Sequence, residues 1–135
     1  MADSFELTLD LDAAPDAVWD LVGDPCGVTR WYRVYVDCRV EGDVRTLRRA
    51  DGSELVEHML ERDDAERRYA YSVVAGAPVH DHRASFQVLA RPDGGSTVVW
   101  RTSGRTDDPA TDIEARLAAR QAQALEGMRA LFPPA

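Results

Sequence analysis

The chain has 135 residues, enough for one domain with its own core, and its 44% hydrophobic and 30% charged composition excludes a disordered chain. A net charge of −8 would repel phosphate backbones, which sets nucleic-acid binding aside. No run of 18 apolar residues and no signal-peptide-like start occur, so a cytoplasmic chain without membrane insertion is expected.

Phe5, Leu7, Leu9 and Leu11 alternate with Glu6, Thr8 and Asp10, the period of a half-buried strand. Pro15 opens a short helix to about Val22, with Ala14, Val18, Leu21 and Val22 on its inner stripe, and Gly23-Asp24-Pro25 stops it. A second short helical piece, about Gly27 to Tyr32, delivers Trp31 and Tyr32. From there the period is two for some seventy residues. Val34, Val36, Cys38 and Val40 share one face of the next strand, and Cys38 reads as a small buried thiol, since it and Cys26 lack C-x-x-C spacing. Asp43 to Arg49 turns at Asp51-Gly52 and returns as Ser53 to Glu61. Arg67 to Ala75, Val79 to Arg91 and Ser96 to Gly104 follow, separated by turn residues. Asp108 to Leu131 is a long helix with Ile113, Leu117, Gln121, Ala124, Met128 and Leu131 on one face. Thr111-Asp112-Ile113-Glu114 reads as its capping box, with Pro109 in the first turn. Short hairpin loops make neighbouring strands antiparallel, so the fold class is α+β, one domain over residues 1–135.

Several stretches resemble the START-like polyketide cyclase/dehydrase superfamily. They are Asp12-Ala-Ala-Pro-Asp-Ala-Val-Trp19, Arg30-Trp31, Val44-Arg-Thr-Leu47 before Asp51-Gly52, and Val56-Glu57-His58. Arg68-Tyr-Ala-Tyr-Ser-Val73 and Gly95-Ser-Thr-Val-Val-Trp100 continue the series in the same order, so the resemblance covers nearly the whole chain. It implies a helix-grip fold: a curved seven-stranded antiparallel sheet around the C-terminal helix, with a ligand cavity between them. It also implies a small hydrophobic ligand, aromatic or polyketide-like, free or bound to a carrier protein, in a monomer or homodimer with no cofactor. Members include cyclases, hormone receptors and lipid carriers, so the resemblance alone leaves the activity open.

A two-residue loop at Gly76-Ala77 places Tyr71 opposite His82, Val73 opposite His80 and Tyr69 opposite Ala84. Tyr69, Tyr71, His80, His82 and Phe86 then share the inner face and line a cavity with Leu117, Gln121 and Met128. For the earlier hairpin the apolar pattern permits two loops. A three-residue loop faces Leu47 with Leu55 and Arg45 with Glu57; a two-residue loop turns Glu57 outward. The resemblance favours the first, because the matching glutamate of the superfamily's plant hormone receptors faces the pocket. Arg45, Arg49 and Glu57 then become polar anchors among apolar walls. For the last strand, an even loop brings Val99, Arg101 and Ser103 inward and an odd one Val98, Trp100 and Thr102; the even loop is slightly preferred.

Cyclisation with loss of water needs an apolar sleeve and acid/base groups with pKa near neutrality. His82 is the expected central acid/base, with Glu57 and Tyr71 orienting it, the Tyr71 hydroxyl holding one ring nitrogen, and His80 guarding the entrance. Tyr32, Arg45, Arg49, Tyr69, Val73, Phe86, Arg101, Leu117, Gln121 and Met128 complete the expected ligand site. The competing reading is a binding or carrier protein using the same pocket without turnover. His80-x-His82 with Glu57 also matches a two-His-one-carboxylate metal site, but neither a partner to orient the ligands nor a third histidine nearby supports it, and no metal is assigned. No Gly-x-Ser-x-Gly, Walker loop or dinucleotide fingerprint is present.

Overall fold

The computed structural model describes residues 3–134. Alternating apolar residues build β1 (Ser4–Leu11), and α1 (Pro15–Val22) starts at a proline whose missing N–H costs nothing in a first turn. A 3₁₀ turn (Pro25–Gly27), capped by the Asp24 carboxylate on Cys26 N, leads into α2 (Val28–Trp31). The strands β2 (Tyr35–Glu41), β3 (Val44–Arg49), β4 (Glu54–Asp63), β5 (Arg68–Ala75), β6 (Val79–Ala90) and β7 (Ser96–Thr106) follow. The long helix α3 (Ile113–Ala130) comes last. All seven strands form one antiparallel sheet in the order β1-β7-β6-β5-β4-β3-β2. Sequence neighbours pair throughout except that β7 brings β1 to the far edge.

α3 lies on β1, β7 and α2 and buries Ile113, Gln121, Ala124, Leu125 and Met128. Its cap is Asp112, whose Oδ1 accepts from Ala115 N at 2.8 Å, so the helix starts later than the capping-box reading placed it. Thr111 instead donates to Asp108 Oδ2 at 3.0 Å in the preceding turn, which also contains Pro109.

β2 departs from the expected pattern. A register shift between Tyr35 and Asp37 breaks its alternation, burying Tyr35 and leaving Val34 and Val36 exposed, while Val40 stays opposite Arg45 and is exposed on this edge strand. Cys38 is not a free thiol: it is disulfide-bonded to Cys26, with Cα atoms 5.5 Å apart. The bond fastens the 3₁₀ turn to β2, and its closure depends on compartment, because a glutathione-poised cytoplasm keeps thiols reduced. No helix among the described residues is long and apolar enough to cross a membrane.

The crossing of α2 and α3 is set by one glycine. A Cβ on Gly127 would sit 2.3 Å from the Trp31 carbonyl oxygen, closer than any side chain tolerates. Replacing glycine by alanine inside an exposed helix normally stabilises by roughly 0.8–1 kcal/mol. Gly127→Ala is expected to do the opposite, lowering stability by about 1–3 kcal/mol as the overpacked crossing shifts. Urea unfolding checks this: a midpoint equal to or above wild type would show that the two helices do not meet this closely.

Candidate functional site

The concave side chains follow from three strand registers. β3 and β4 pair Leu47 with Leu55 and Arg45 with Glu57, across the three-residue loop. β6 and β7 pair Phe86 with Trp100 and Val88 with Val98, so the loop between them is odd. Val98, Trp100 and Thr102 therefore face inward, and Arg101 lies outside, bonded to Glu6 at 2.6 Å. That corrects the expectation for Arg101.

The third register explains the histidines. β5 pairs Tyr69 with Phe86 and Tyr71 with Ala84, two residues away from the tight-hairpin alignment. A two-residue loop would have required Pro78 to donate a backbone hydrogen bond to Ala75, and proline has no N–H. The faces of Tyr69, Tyr71 and Phe86 are unchanged, because a shift of two preserves the alternation. Beyond Tyr71 and Ala84 the ladder between β5 and β6 stops. Val73 N finds no carbonyl there and donates to the His82 imidazole Nδ1 at 2.9 Å. The side chain stands where a strand would have been.

A bulge between His80 and Arg83 puts Val79 and His82 on the inner face together and turns His80 out. Asp81 takes a positive φ of 50°, and Gly104 opposite has φ 143°. A Cβ on Gly104 would lie 3.0 Å from His80 O and 3.1 Å from His82 Cα, so glycine is what admits the bulge. His80 is exposed and paired with Asp107 outside the cavity. It guards no entrance, because period-two reasoning cannot register an inserted residue.

Between α3 and the concave face lies a cavity of about 80 Å³. Of the expected residues, Tyr32, Arg45, Arg49, Glu57, Tyr71, Val73, His82, Phe86, Leu117 and Gln121 line it. Tyr69 and Met128 do not: both are buried in the core, Tyr69 with its ring centroid 6.2 Å from that of Trp19. Trp31, Trp100, Tyr35 and Arg120 line it although the sequence reading did not place them there. Trp31 and Trp100 meet edge to face at 5.7 Å, and Phe86 stacks on Trp100 at 4.5 Å.

The polar groups are held rigidly. Arg45 and Glu57, 2% and 3% exposed, form a buried pair with Nε to Oε1 at 2.7 Å. Arg45 Nη1 also donates to Pro25 O at 2.9 Å, and its guanidinium lies 5.4 Å from the Tyr71 ring centroid. Burial pushes the Glu57 carboxyl up while Arg45 pulls it back. The Tyr71 hydroxyl accepts from Trp100 Nε1 at 3.1 Å rather than holding His82. Burial, then the Glu57 charge, raises its phenol well above the ordinary value, so it stays protonated. Gln121 and Thr102 bond each other, with Nε2 to Oγ1 at 3.2 Å. The Trp31 indole N–H is buried without a partner. Among the described residues no group of three or more His, Cys, Asp or Glu is arranged to hold a metal.

His82 is only 6% exposed, and burial lowers its pKa from 6.5 to about 4. Geometry agrees, since an Nδ1 that accepts from Val73 N cannot also carry a proton. At neutral pH the ring is therefore the Nε2–H tautomer, a hydrogen-bond donor and not a base. Above about pH 6.5 His82 is neutral in both folded and unfolded chains and leaves stability unchanged. Between about 6.5 and about 4 the unfolded chain binds a proton that the folded chain refuses, so stability falls with pH. The loss is expected to reach about 3 kcal/mol. His82→Asn keeps an acceptor for Val73 N and cannot titrate, so urea unfolding from neutral pH to pH ~4 should show a shallower loss in the variant. Every other group is common to both proteins, so the difference between the two profiles belongs to His82. Identical pH profiles would show that His82 takes up its proton in the folded state.

Comparison with known proteins agrees with this architecture. Residues 2–132 match the family model described as polyketide cyclase / dehydrase and lipid transport. No curated protein matches. Among solved structures, the chain is similar to an uncharacterized protein from Bacillus thuringiensis, with 24% identity, a TM-score of 0.86, and 96% of this chain and 98% of that chain covered. It is similar to the protein XoxI from Bacillus cereus at 23% identity and a TM-score of 0.87, covering 97% and 96%. It is also similar to a norcoclaurine synthase point mutant from Thalictrum flavum in complex with a transition state analogue, at 14% identity and a TM-score of 0.71, covering 96% and 92%. At these identities the likeness to solved structures speaks for the fold alone. The match across nearly its whole length shows that the chain belongs to the polyketide cyclase/dehydrase and lipid-transport family.

Proposed function

We propose that the protein binds a small, mostly apolar molecule that presents a hydrogen-bond acceptor, such as a carbonyl oxygen, to the cavity. One observation carries this reading: the walls are aromatic and aliphatic, and beside the paired Arg45, Glu57 and Gln121 they hold three donors without protein acceptors. Among the described residues His82 Nε2–H and the Tyr71 O–H have none, and the Trp31 N–H is buried unpaired. A buried donor left unpaired costs about 1–3 kcal/mol, which a ligand acceptor would return. Few polar groups on an apolar wall is the usual composition of a small-molecule site.

The size of the cavity restricts the ligand. An engineered cavity of ~150 Å³ holds benzene, and drug-sized ligands occupy roughly 300–1,000 Å³. At about 80 Å³ the site is smaller than either, so the reading requires the residues at its opening to swing aside as a ring enters.

Cyclisation or dehydration is the second reading. His82 and Tyr71 would polarise a carbonyl while Glu57, its carboxyl pushed up by burial, takes the proton. It ranks second because Glu57 is engaged by Arg45 and His82 has no basic nitrogen free. A carrier or sensor needs only the donors.

Acetophenone and ethylbenzene are near-isosteric and differ in one acceptor. Trp31 and Trp100 report from the cavity wall, and Trp19→Phe removes the third indole from the signal. Fluorescence titration is expected to show acetophenone binding roughly tenfold tighter, about the worth of one hydrogen bond. Equal affinities would remove the donor argument, and saturation by neither would remove the pocket.

A further inference from the structure

The sequence contains 16 arginines and no lysine. Among the described residues, eleven of these arginines lie within 4.0 Å of a carboxylate. Arg30, Arg33, Arg49, Arg116 and Arg120 do not. Two of those five, Arg49 from β3 and Arg120 from α3, line the cavity. They are among its more exposed lining residues, and so mark its opening.

Arg49 is fixed in place by neutral groups only. Nη1 donates to Ser53 Oγ and Nη2 to Gly76 O, both at 3.2 Å, and the guanidinium lies 5.8 Å from the Tyr35 ring centroid. Its side chain is thus ordered without a carboxylate in contact, although the Asp51 carboxylate in the adjoining turn feels its charge. Arg120 stands between Leu117 and Gln121, one turn and one residue along the helix face that meets the cavity. Deeper in, Arg45 and Glu57 cancel each other. The opening therefore carries two guanidiniums with no carboxylate in contact, on a protein whose net charge is −8. Both guanidiniums act on the same neighbour: burial pushes the Tyr32 phenol up, and Arg120 and then Arg49 pull against it.

We propose that Arg49 and Arg120 form an anion-binding rim, so that the ligand is an amphipathic carboxylate. Its apolar part enters among Trp31, Phe86 and Trp100, and its carboxylate stays between the two guanidiniums. A guanidinium fork matches a carboxylate in shape and number of bonds, and ordering one side chain beforehand lowers the entropic cost of capture. A local positive rim also gathers anions that the rest of an acidic surface repels. The proposal rests on the cavity being a ligand site.

The test uses 3-phenylpropionate and 3-phenylpropanamide, which share a body and differ in charge, titrated calorimetrically near neutral pH. The carboxylate is expected to bind at least ~10-fold tighter, as a charge-assisted bond should. Arg49→Gln and Arg120→Gln should each weaken the carboxylate about 3- to 30-fold and leave the amide within ~2-fold, the amide serving as the check on folding. Arg30→Gln removes the same charge away from the cavity and should leave both probes unchanged. Equal binding of carboxylate and amide by the wild type would overturn the rim and leave the pocket standing. An equal loss in Arg30→Gln would reduce the effect to net charge and overturn the rim as well. Binding of neither probe would remove the pocket and the rim together.

Discussion

A polar group taken out of water must find a partner, and that constraint shapes the concave face more than any apolar contact does. Arg45 meets it completely. Its guanidinium spends donors on Glu57 and on the Pro25 carbonyl and lies near the faces of Tyr69 and Tyr71. The 3₁₀ turn carrying Pro25 is held from the other side by the Cys26–Cys38 bond to β2. Removing either member of such a pair strands a buried charge, which typically costs about 3–5 kcal/mol. The sheet's β3–β4 half and the loop before α2 are thereby fixed to each other, and Trp31 and Tyr32 follow from α2.

His82 meets the same constraint by replacing backbone with side chain. Where β5 and β6 part, an unpaired amide would be left inside the protein, and the imidazole accepts its hydrogen. That bond fixes the tautomer, and the tautomer fixes what the ring offers a ligand. A histidine in a cavity is commonly read as an acid/base group. Here the neighbour on Nδ1 assigns it the role of a donor. The bulge at Asp81 and the glycine at 104 make the arrangement possible, so two residues that do not line the cavity determine what a third offers a ligand.

Much of the architecture was legible from periodicity. Seven strands, two short helices and the long helix lie where alternation and the three-four stripe put them, because burial of one face dictates both patterns. The site was legible where two strands had only one apolar face between them, as for Tyr71 and Phe86. It was illegible at β7, where Val98 and Val99 are both buried and either register satisfies the pattern. Glu57 was assigned inward by resemblance, since Leu55 and Val56 left the loop undetermined. His80 was misplaced because a bulge reverses alternation without changing composition. The disulfide escaped because a twelve-residue separation follows no motif, and only the approach of the 3₁₀ turn to β2 brings the sulfurs together. Arg120 was passed over beside Gln121, as an arginine on an amphipathic helix reads as solvated surface; the missing carboxylate partner shows only in the folded chain.

The donor-lined cavity depends on the state of one ring, which nitrogen NMR reads directly. Imidazole ¹⁵N–¹H spectra of the labelled protein, assigned with His82→Asn, give the protonation of each nitrogen across a pH series. The account expects His82 to carry a proton on Nε2 alone, with Nδ1 unprotonated and hydrogen-bonded, and to hold that state until about pH 4. An Nδ1–H tautomer, or a ring doubly protonated by about pH 6, where an unperturbed histidine titrates, would contradict it.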